Sequence, residues 1–169
     1  MEIAYRIIQP VEYNIFWQKI TDGALWDALN PTTGKMLAAE WNAYCGNENV
    51  LSLGCFIDNA PAGLLQGMAW AARTRAMKVS VASFREYNKM AVDMMRGAAR
   101  WCFASIDCAC LLGETPTHSR AVISLLQKCG FVKQGIIPEL FWSEKRQKFV
   151  NGIISVCTLD SLQKAEQDA

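Results

Sequence analysis

Apolar residues recur every three to four positions over residues 117–130, which is the pattern of a helix with one buried face. Thr117 can cap the start of this helix. Gly130 can take the left-handed conformation that a helix C-terminus often needs, and Phe131 follows it and can pack back. The segment therefore predicts a helix lying on a sheet. Its apolar stripe consists of Val122, Leu125, Leu126 and Cys129.

Helical and strand periodicities alternate along the rest of the chain. The order is a strand, two or three helices, three strands, a helix, a strand, a helix and two strands. It predicts a mixed α/β domain of about seven strands flanked by about four helices. The predicted strands are residues 3–8, 50–57, 62–71, 76–82, 107–113, 131–142 and 149–159, and the predicted helices begin at residues 10, 22, 35, 88 and 117.

Composition narrows the class of protein. With 169 residues, 51% of them hydrophobic, the chain can fill one core, and a single domain over residues 1–169 is expected. A net charge of +1 gives no overall field for nucleic acid or for an anionic membrane. The sequence has neither a signal-peptide pattern nor an apolar run of about 18 residues. We expect a cytoplasmic protein without a nucleic-acid or membrane partner.

The cysteines indicate free thiols in the core. There are seven, an odd number, and no two of them form a C-x-x-C pair. Free thiols in a reducing compartment account for them most simply. Cys108 and Cys110 would share one strand face, but a metal site needs more ligands, and the only histidine is His118. No metal site is predicted.

A family resemblance adds to these patterns. The run LLQKCGF at residues 125–131 resembles a signature of the GNAT superfamily of acetyl-coenzyme A (acetyl-CoA) dependent acyltransferases. In many members the last strand–helix–strand carries a Leu–Glu–Lys–x–Gly–Phe type run. The order of elements is also similar to the GNAT fold over nearly the whole chain. The leucine at Leu126 is most similar to the branch that acetylates ribosomal-protein N-termini.

The resemblance implies where the co-substrate acetyl-CoA would bind. In this fold the strands at 76–82 and 107–113 splay apart, and the coenzyme enters the gap, with a backbone N–H near Val81 and Ala82 on the thioester carbonyl. The pyrophosphate sits on the loop before the next helix, at residues 83–91, where helix amides favour an anion. The expected coenzyme contacts are Val81, Ala82, Arg85, Glu86, Tyr87, Asn88, Lys89, Met90, Ala91 and Ser119.

This loop departs from the family pattern of Gln or Arg, two residues, Gly, one residue, then Gly or Ala. Glu86 takes the first position and Lys89 the first glycine, so that only Ala91 conforms. Lys89 can block the phosphates, supply an ammonium to them, or lie solvated while Ser83 and Glu86 form a capping box. Nearby cations suit a ligand with several phosphates, or form a solvated helix face. They are Arg73, Arg75, Lys78, Arg85, Lys89, Arg96 and Arg100.

Two catalytic residues follow from the resemblance. An amine that attacks a thioester needs a base, and Glu114 matches the position of the general base in ribosomal-protein alanine acetyltransferases. The alternative for Glu114 is a solvated carboxylate at a strand end. Ser119 aligns with the family's helix-leading Asn. The thiolate's usual proton donor, a tyrosine, is replaced by Leu126, which leaves water, Ser119 or Ser124.

The expected reaction is transfer of an acetyl group from acetyl-CoA to a primary amine, either a protein N-terminus or a small amine. The acceptor would lie between the first helices and the last hairpin, where aromatic residues are frequent. Trp17 and Trp41 are expected in the core, and Trp26 and Trp142 are open to either role. The resemblance is compatible with a homodimer. The alternative is a GNAT-like binding or assembly protein without catalysis.

Overall fold

A computed structural model of the chain describes residues 2–29, 34–69, 74–143 and 146–168. The predicted order of elements is confirmed, with one additional helix at the C-terminus. The strands are β1 (Ile3–Ile7), β2 (Val50–Ile57), β3 (Ala60–Ala69), β4 (Ala76–Ser83), β5 (Cys110–Pro116), β6 (Val132–Ser143) and β7 (Lys148–Cys157). The helices are α1 (Tyr13–Asp22), α2 (Trp26–Leu29), α3 (Ala38–Cys45), α4 (Ala91–Ser105), α5 (Arg120–Lys128) and α6 (Leu159–Gln167), with 3-10 helices at Pro10–Glu12 and Arg85–Met90.

All seven strands form one sheet in the order β1-β2-β3-β4-β5-β7-β6. Only β4 and β5 run parallel; every other neighbouring pair is antiparallel. Because β7 returns between β5 and β6, β5 has two different partners. The parallel pair therefore lies in the middle of the sheet, with helices packed on both of its faces.

Two hydrophobic cores hold the helices to the sheet. On the first face, α4, α5 and α6 cover a core that includes Val79, Met94, Leu111, Leu126 and Leu162. On the second face, α1, α2 and α3 cover a core rich in aromatic residues. Alternation along each strand sends neighbouring side chains to opposite faces. The larger buried members of the second core are Phe16, Ile20, Trp26, Trp41, Phe56, Leu64 and Phe84.

The C-terminal end of α5 is built as its sequence predicts. Gly130 has a φ of +82°, and the N–H of Phe131 donates to the Leu126 carbonyl at 3.0 Å. The Gly130 N–H donates to the Gln127 carbonyl at 3.1 Å. These two bonds complete a Schellman motif. Phe131 is buried in the first core, so the motif also fixes the entry of the chain into β6.

Several predicted boundaries are wrong, for local reasons. The hairpin turn contains only Asp58 and Asn59, both with positive φ, so β3 begins at Ala60 rather than at residue 62. The last strand ends at Cys157, because the hydroxyl of Thr158 accepts the N–H of Ser161 and starts α6. Predicted strand residues 70 and 71, and residues 144 and 145 of the predicted turn at 143–148, lie outside the described residues.

The cysteines are free, and all but Cys110 are buried. Burial raises the pKa of Cys55, Cys102 and Cys129 to about 12. These thiols therefore resist oxidation and alkylation in the folded protein. In the described part of the chain no three side chains of the metal-binding types come together as a metal site, and no helix is long and apolar enough to cross a membrane.

Candidate functional site

The two parallel strands at the centre of the sheet separate halfway along their length. β4 and β5 pair in register from Ala76 with Cys110 to Val79 with Gly113, and no further. Beyond that point, β4 continues to Ser83 paired with β3, and β5 continues to Pro116 paired with β7. The predicted splay of these two strands is confirmed. A gap opens in the middle of the sheet at the carboxyl ends of both strands.

Backbone alternation decides which peptide groups of β4 face this gap. On the β3 side, the N–H of Phe84 donates to the Ala62 carbonyl at 2.9 Å. On the β5 side, the Arg75 carbonyl accepts the N–H of Ala109 at 2.6 Å. Successive residues of a strand direct their backbone N–H and C=O groups to opposite edges. In β4, the backbone groups of the odd-numbered residues therefore point toward β5. The N–H of Val81 is thus directed into the gap, where β4 has no strand partner.

A narrow cleft opens beside the gap, between the free end of β4, the start of α4 and α5. Its lining is largely apolar, which suits the arm of a pantetheine chain better than a charged group. Predicted contacts Val81, Ala82 and Ala91 line it, together with Ser83. The other lining residues are Cys55, Gly63, Leu64, Leu65, Met94, Met95, Ala98 and Leu125.

Glu114 lies inside β5 and opposite Ile154 of β7, not beyond the end of the strand as predicted. The boundary shifts because Glu114 and Thr115 are held by pairing with β7, which outweighs their low strand propensity. The side chain is only 10% exposed, and its Oε2 accepts a hydrogen bond from Nζ of Lys78 at 2.5 Å. The alternative of a solvated carboxylate is therefore wrong. A charge-assisted hydrogen bond thus holds the Glu114 carboxylate in place, one residue beyond the last β4–β5 pair.

Lys78 is the site residue that sequence reasoning missed. The sequence groups it with the nearby cations, although one signal marks it: a lysine stands between Met77 and Val79 in a central strand. Alternation places those two neighbours in the first core and Lys78 on the opposite face. There it lies on the same side of the sheet as α2, which packs against β4.

Ser119 is the residue immediately before α5, and its hydroxyl makes no capping hydrogen bond. The helix begins at Arg120 rather than near Thr117, because the Thr117 N–H still donates to the Asn151 carbonyl of β7 at 2.9 Å. Ser119 is half-buried close to the end of β5, whereas Ser124 is exposed. Of the two serines weighed as thiolate proton donors, Ser119 is therefore the one near the gap.

The segment before α4 is a 3-10 helix, Arg85–Met90, rather than an open loop. The Tyr87 N–H donates to the Phe84 carbonyl, and the Ala91 N–H donates to the Asn88 carbonyl. In a 3-10 helix the amides bond internally to carbonyls three residues back, so only those of the first turn are free. Main-chain donors near Lys89 and Ala91 are thus already used.

Side chains of this 3-10 helix divide into paired and unpaired groups. The Glu86 carboxylate accepts a hydrogen bond from Nζ of Lys19 at 3.0 Å. The pKa of this carboxyl is below its usual range, mainly because it accepts the N–H of its own backbone and secondly because of Lys19. The Ser83 hydroxyl donates to Oδ1 of Asn88 at 2.6 Å, so the capping box of Ser83 with Glu86 is not formed. Tyr87 is partly buried against both cores. Met90 is half-buried on the first.

Most of the neighbouring cations have structural partners. Arg75 pairs with Asp107, Arg100 with Glu166, and Lys78 with Glu114, while Arg96 donates to main-chain carbonyls. Arg73 lies outside the described residues. Within the described ranges, Arg85 and Lys89 are exposed and have no ion pair. The predicted concentration of charge is therefore reduced to these two side chains on one 3-10 helix.

The aromatic residues separate into core and surface groups. Trp41 is fully buried, and Trp26 stacks edge-on against it with centroids 5.7 Å apart. Trp17 is half-buried and donates its indole N–H to the Met36 carbonyl, so it lies at the margin of the core. Trp142 is 43% exposed and packs against Phe149 on the β6–β7 hairpin. Of these four tryptophans, Trp142 is thus the one best placed for an external ligand.

Comparison with solved structures gives close matches in fold at low sequence identity. The spermidine N-acetyltransferase of Vibrio cholerae in complex with CoA and spermine has a TM-score of 0.80 and 11% identity, covering 95% of this chain and 98% of that one. RimJ of Mycobacterium smegmatis in complex with CoA-disulfide has a TM-score of 0.77 and 12% identity, covering 95% and 83%. A GNAT-family acetyltransferase of Streptococcus pneumoniae has a TM-score of 0.69 and 18% identity, covering 94% and 100%.

No protein-family model matches the chain, and no curated protein matches it at a significant level of sequence similarity. The resemblance is therefore one of three-dimensional structure over almost the whole length of both chains. The seven-stranded mixed sheet, its gap between β4 and β5 and its covering helices together show that the chain adopts the GNAT acyl-CoA N-acyltransferase fold.

Proposed function

We propose that this protein is an acetyl-CoA dependent N-acetyltransferase that transfers the acetyl group directly to a primary amine. The observation that carries the proposal is the gap between β4 and β5, with the Val81 N–H on one side and the Glu114 carboxylate on the other. Fold alone does not establish activity, whereas these two groups have specific chemical roles. They are the donor and the base that aminolysis of a thioester needs.

The roles follow from position. The Val81 N–H donates to the thioester carbonyl oxygen and stabilises the negative charge that develops on it. Glu114 takes a proton from the attacking ammonium, and the amine then forms a bond to the carbonyl carbon as the C–S bond breaks. CoA leaves as the thiolate, which receives a proton from the Ser119 hydroxyl or from water, and the second proton that the nitrogen loses after the attack restores that donor. Ala82 and Ala91 contact the pantetheine arm in the apolar cleft.

The phosphates of the coenzyme bind at the 3-10 helix before α4. Because most main-chain amides there are used internally, the exposed side chains of Arg85 and Lys89 supply most of the positive charge. Of the three roles considered for Lys89, an ammonium donor fits an exposed side chain that has no ion pair. The remaining predicted contacts, Glu86, Tyr87, Asn88 and Met90, shape the surface around them.

The acceptor is a primary amine of a small molecule or of a protein N-terminus. Among the similar structures, one is named for spermidine and contains spermine, which is a small amine. The branch that acetylates ribosomal-protein N-termini is the finer assignment we propose, because of Leu126 and the match of Glu114 to its general base. Trp142 on the β6–β7 hairpin gives a peptide acceptor an aromatic contact. The assay therefore compares spermidine with short peptides that have a free N-terminus.

Calorimetry with acetyl-CoA, with ATP as the control for binding of phosphates alone, tests the first step. We expect binding of acetyl-CoA and release of free CoA when an amine is added. Glu114→Gln should lower kcat by about 100-fold or more, with coenzyme affinity nearly unchanged. Glu48→Gln is the matched control, since Glu48 is exposed in the loop after α3. Unchanged turnover in Glu114→Gln would refute the role of Glu114 but leave the fold assignment intact.

The alternative function is a GNAT-like binding or assembly protein without catalysis. Two observations favour it: the amides near Lys89 bond within the 3-10 helix, and the usual tyrosine position is taken by Leu126, which is buried in the first core. This reading predicts that neither heat nor a thermal shift accompanies addition of millimolar acetyl-CoA. Binding without release of CoA, for every amine tested, would also support it.

A further inference from the structure

Lys78 forms an ion pair with Glu114, just beyond the point where β4 and β5 separate. Its register partner on β5 is Leu112, yet its Nζ contacts the carboxylate of Glu114, two residues further along that strand. Successive residues of a strand advance by about 3.3 Å. The ion pair therefore joins the paired region of β4 to the part of β5 that lies just beyond the last β4–β5 pair.

The amine then lies close to the proposed position of the thioester. Glu114 follows Gly113, which pairs with Val79, so Glu114 is level with Ser80. The N–H of Val81, which faces the gap, is one residue further along β4. Glu114, whose carboxylate Nζ contacts, is thus one residue step, roughly 3.3 Å along the strand direction, from the residue that donates to the thioester carbonyl.

Lys78 also satisfies the chemical requirements of an acceptor. It is a primary amine whose proton is already hydrogen-bonded to Glu114, the group proposed as base. Its side chain is 32% exposed, so the amine is reachable, whereas the carboxylate is 10% exposed. An external ammonium ion must compete with Lys78 for the same carboxylate. The chain's own lysine therefore occupies the place of a substrate.

We propose that Lys78 is a site of self-acetylation, in which its Nζ accepts the acetyl group from acetyl-CoA bound in the same chain. This inference rests on the proposed function. The Nζ lone pair forms a bond to the thioester carbonyl carbon, the C–S bond breaks, and CoA leaves as the thiolate. The ammonium first gives one proton to Glu114, which passes it to solvent and so frees the lone pair; the nitrogen loses its second proton after the attack, and the thiolate takes up that proton to become CoA-SH. The product is a neutral acetyl-lysine that no longer pairs ionically with Glu114.

The test is incubation of the full chain with acetyl-CoA, followed by intact-mass measurement and peptide mapping. We expect one acetyl group per chain, located on Lys78, at a first-order rate that does not depend on protein concentration. The same chain unfolded in urea gives the background of chemical acetylation, and folded Lys78 should exceed it by about tenfold or more. Lys78→Arg should abolish the mass increase, because arginine keeps the charge but is not acetylated.

Two further variants separate the step from chance modification. Glu114→Gln should slow acetylation of Lys78 by about 100-fold. Lys133→Arg, which changes an exposed lysine of β6, separated from β5 by β7, should leave the rate unchanged. If the coenzyme binds and an external amine is acetylated while Lys78 stays unmodified, this inference is overturned and the proposed function stands. If acetyl-CoA does not bind, both are overturned.

Discussion

The C-terminal end of α5 and the 3-10 helix before α4 differ in what their residues contact. At the C-terminal end of α5, Gly130 and Phe131 complete a Schellman motif, and a Cβ on Gly130 would lie 2.7 Å from backbone atoms of α6. Before the start of α4, the 3-10 helix Arg85–Met90 exposes Arg85 and Lys89 without ion pairs among the described residues. The first region is closed by its own contacts, and the second leaves charge free for a ligand. Local sequence explains the first far better.

The largest expected effect is at the closed end. Gly130→Ala places a Cβ where φ is +82° and where Leu162 and Ser161 leave no room, so α6 must shift. We expect a loss of about 3 kcal/mol in the free energy of unfolding, measured by urea denaturation. Gly135→Ala is the control, because nothing lies within 4 Å of its Cβ position. Equal stability of the two variants would contradict the close packing of α6 on this glycine.

Removal of Arg96 should have the next largest effect. This α4 side chain donates to the Lys128 carbonyl at the end of α5 and to the Ala165 carbonyl near the end of α6. Arg96→Met leaves both carbonyls without this donor, and we expect a loss of about 2 kcal/mol in unfolding free energy. Lys128→Met is the control: it removes a charged side chain at the same position but keeps the backbone carbonyl that accepts from Arg96. A similar loss in both variants would mean that the guanidinium contacts stabilise little.

Alkaline pH should weaken the closed end through Cys129. Burial raises the pKa of this thiol from 9.0 in the unfolded chain to about 12. The neutral thiol is therefore favoured in the folded state, so its contribution is intact below pH 9 and is lost as pH rises toward 12. Between pH 9 and 11, the wild type should lose about 1.4 kcal/mol per pH unit more than Cys129→Ala. Parallel stability curves for the two proteins would refute this assignment.

The smallest expected effect is at the open end and concerns affinity. Lys89→Ala and Lys89→Gly should each weaken acetyl-CoA binding by about tenfold, as measured by calorimetry, because each removes an ammonium from the phosphates. The free energy of unfolding should change by no more than about 0.5 kcal/mol, since Lys89 is exposed. Lys133→Ala controls for loss of a surface charge. Tighter binding by Lys89→Gly would show instead that the lysine blocks the phosphates.

Prediction from sequence succeeded where one short segment contains both the signal and its partner. The cap at Gly130 and the burial of Phe131 follow from residues only a few positions apart. Prediction failed for α6. Thr158 and Ser161 form a local cap, but the pattern of the last strand continues past Thr158 and predicts a strand as far as residue 159. It also failed for the limits of β5, where an apolar run suggested a strand starting at residue 107. That strand starts at Cys110, where β4 supplies a partner.

The candidate site could be predicted only in part. The region of the candidate coenzyme site is predicted from a resemblance, and the structure places three of its predicted residues, Val81, Ala82 and Ala91, around one cleft. The contact of Lys78 with Glu114 could not be predicted, because it joins residues 36 positions apart. It exists only because β4 and β5 pair in one particular register.

The sequence by itself determined the order of helices and strands as far as β7, the buried stripe of α5 and the cap that ends this helix, since these depend on periodicity and on residues close along the chain. Tertiary structure alone decided where β4 and β5 separate, which peptide group faces the gap, and which lysine reaches Glu114. The reason is physical: strand register is set by hydrogen bonds between distant segments, with β3 holding the end of β4 and β7 holding the end of β5.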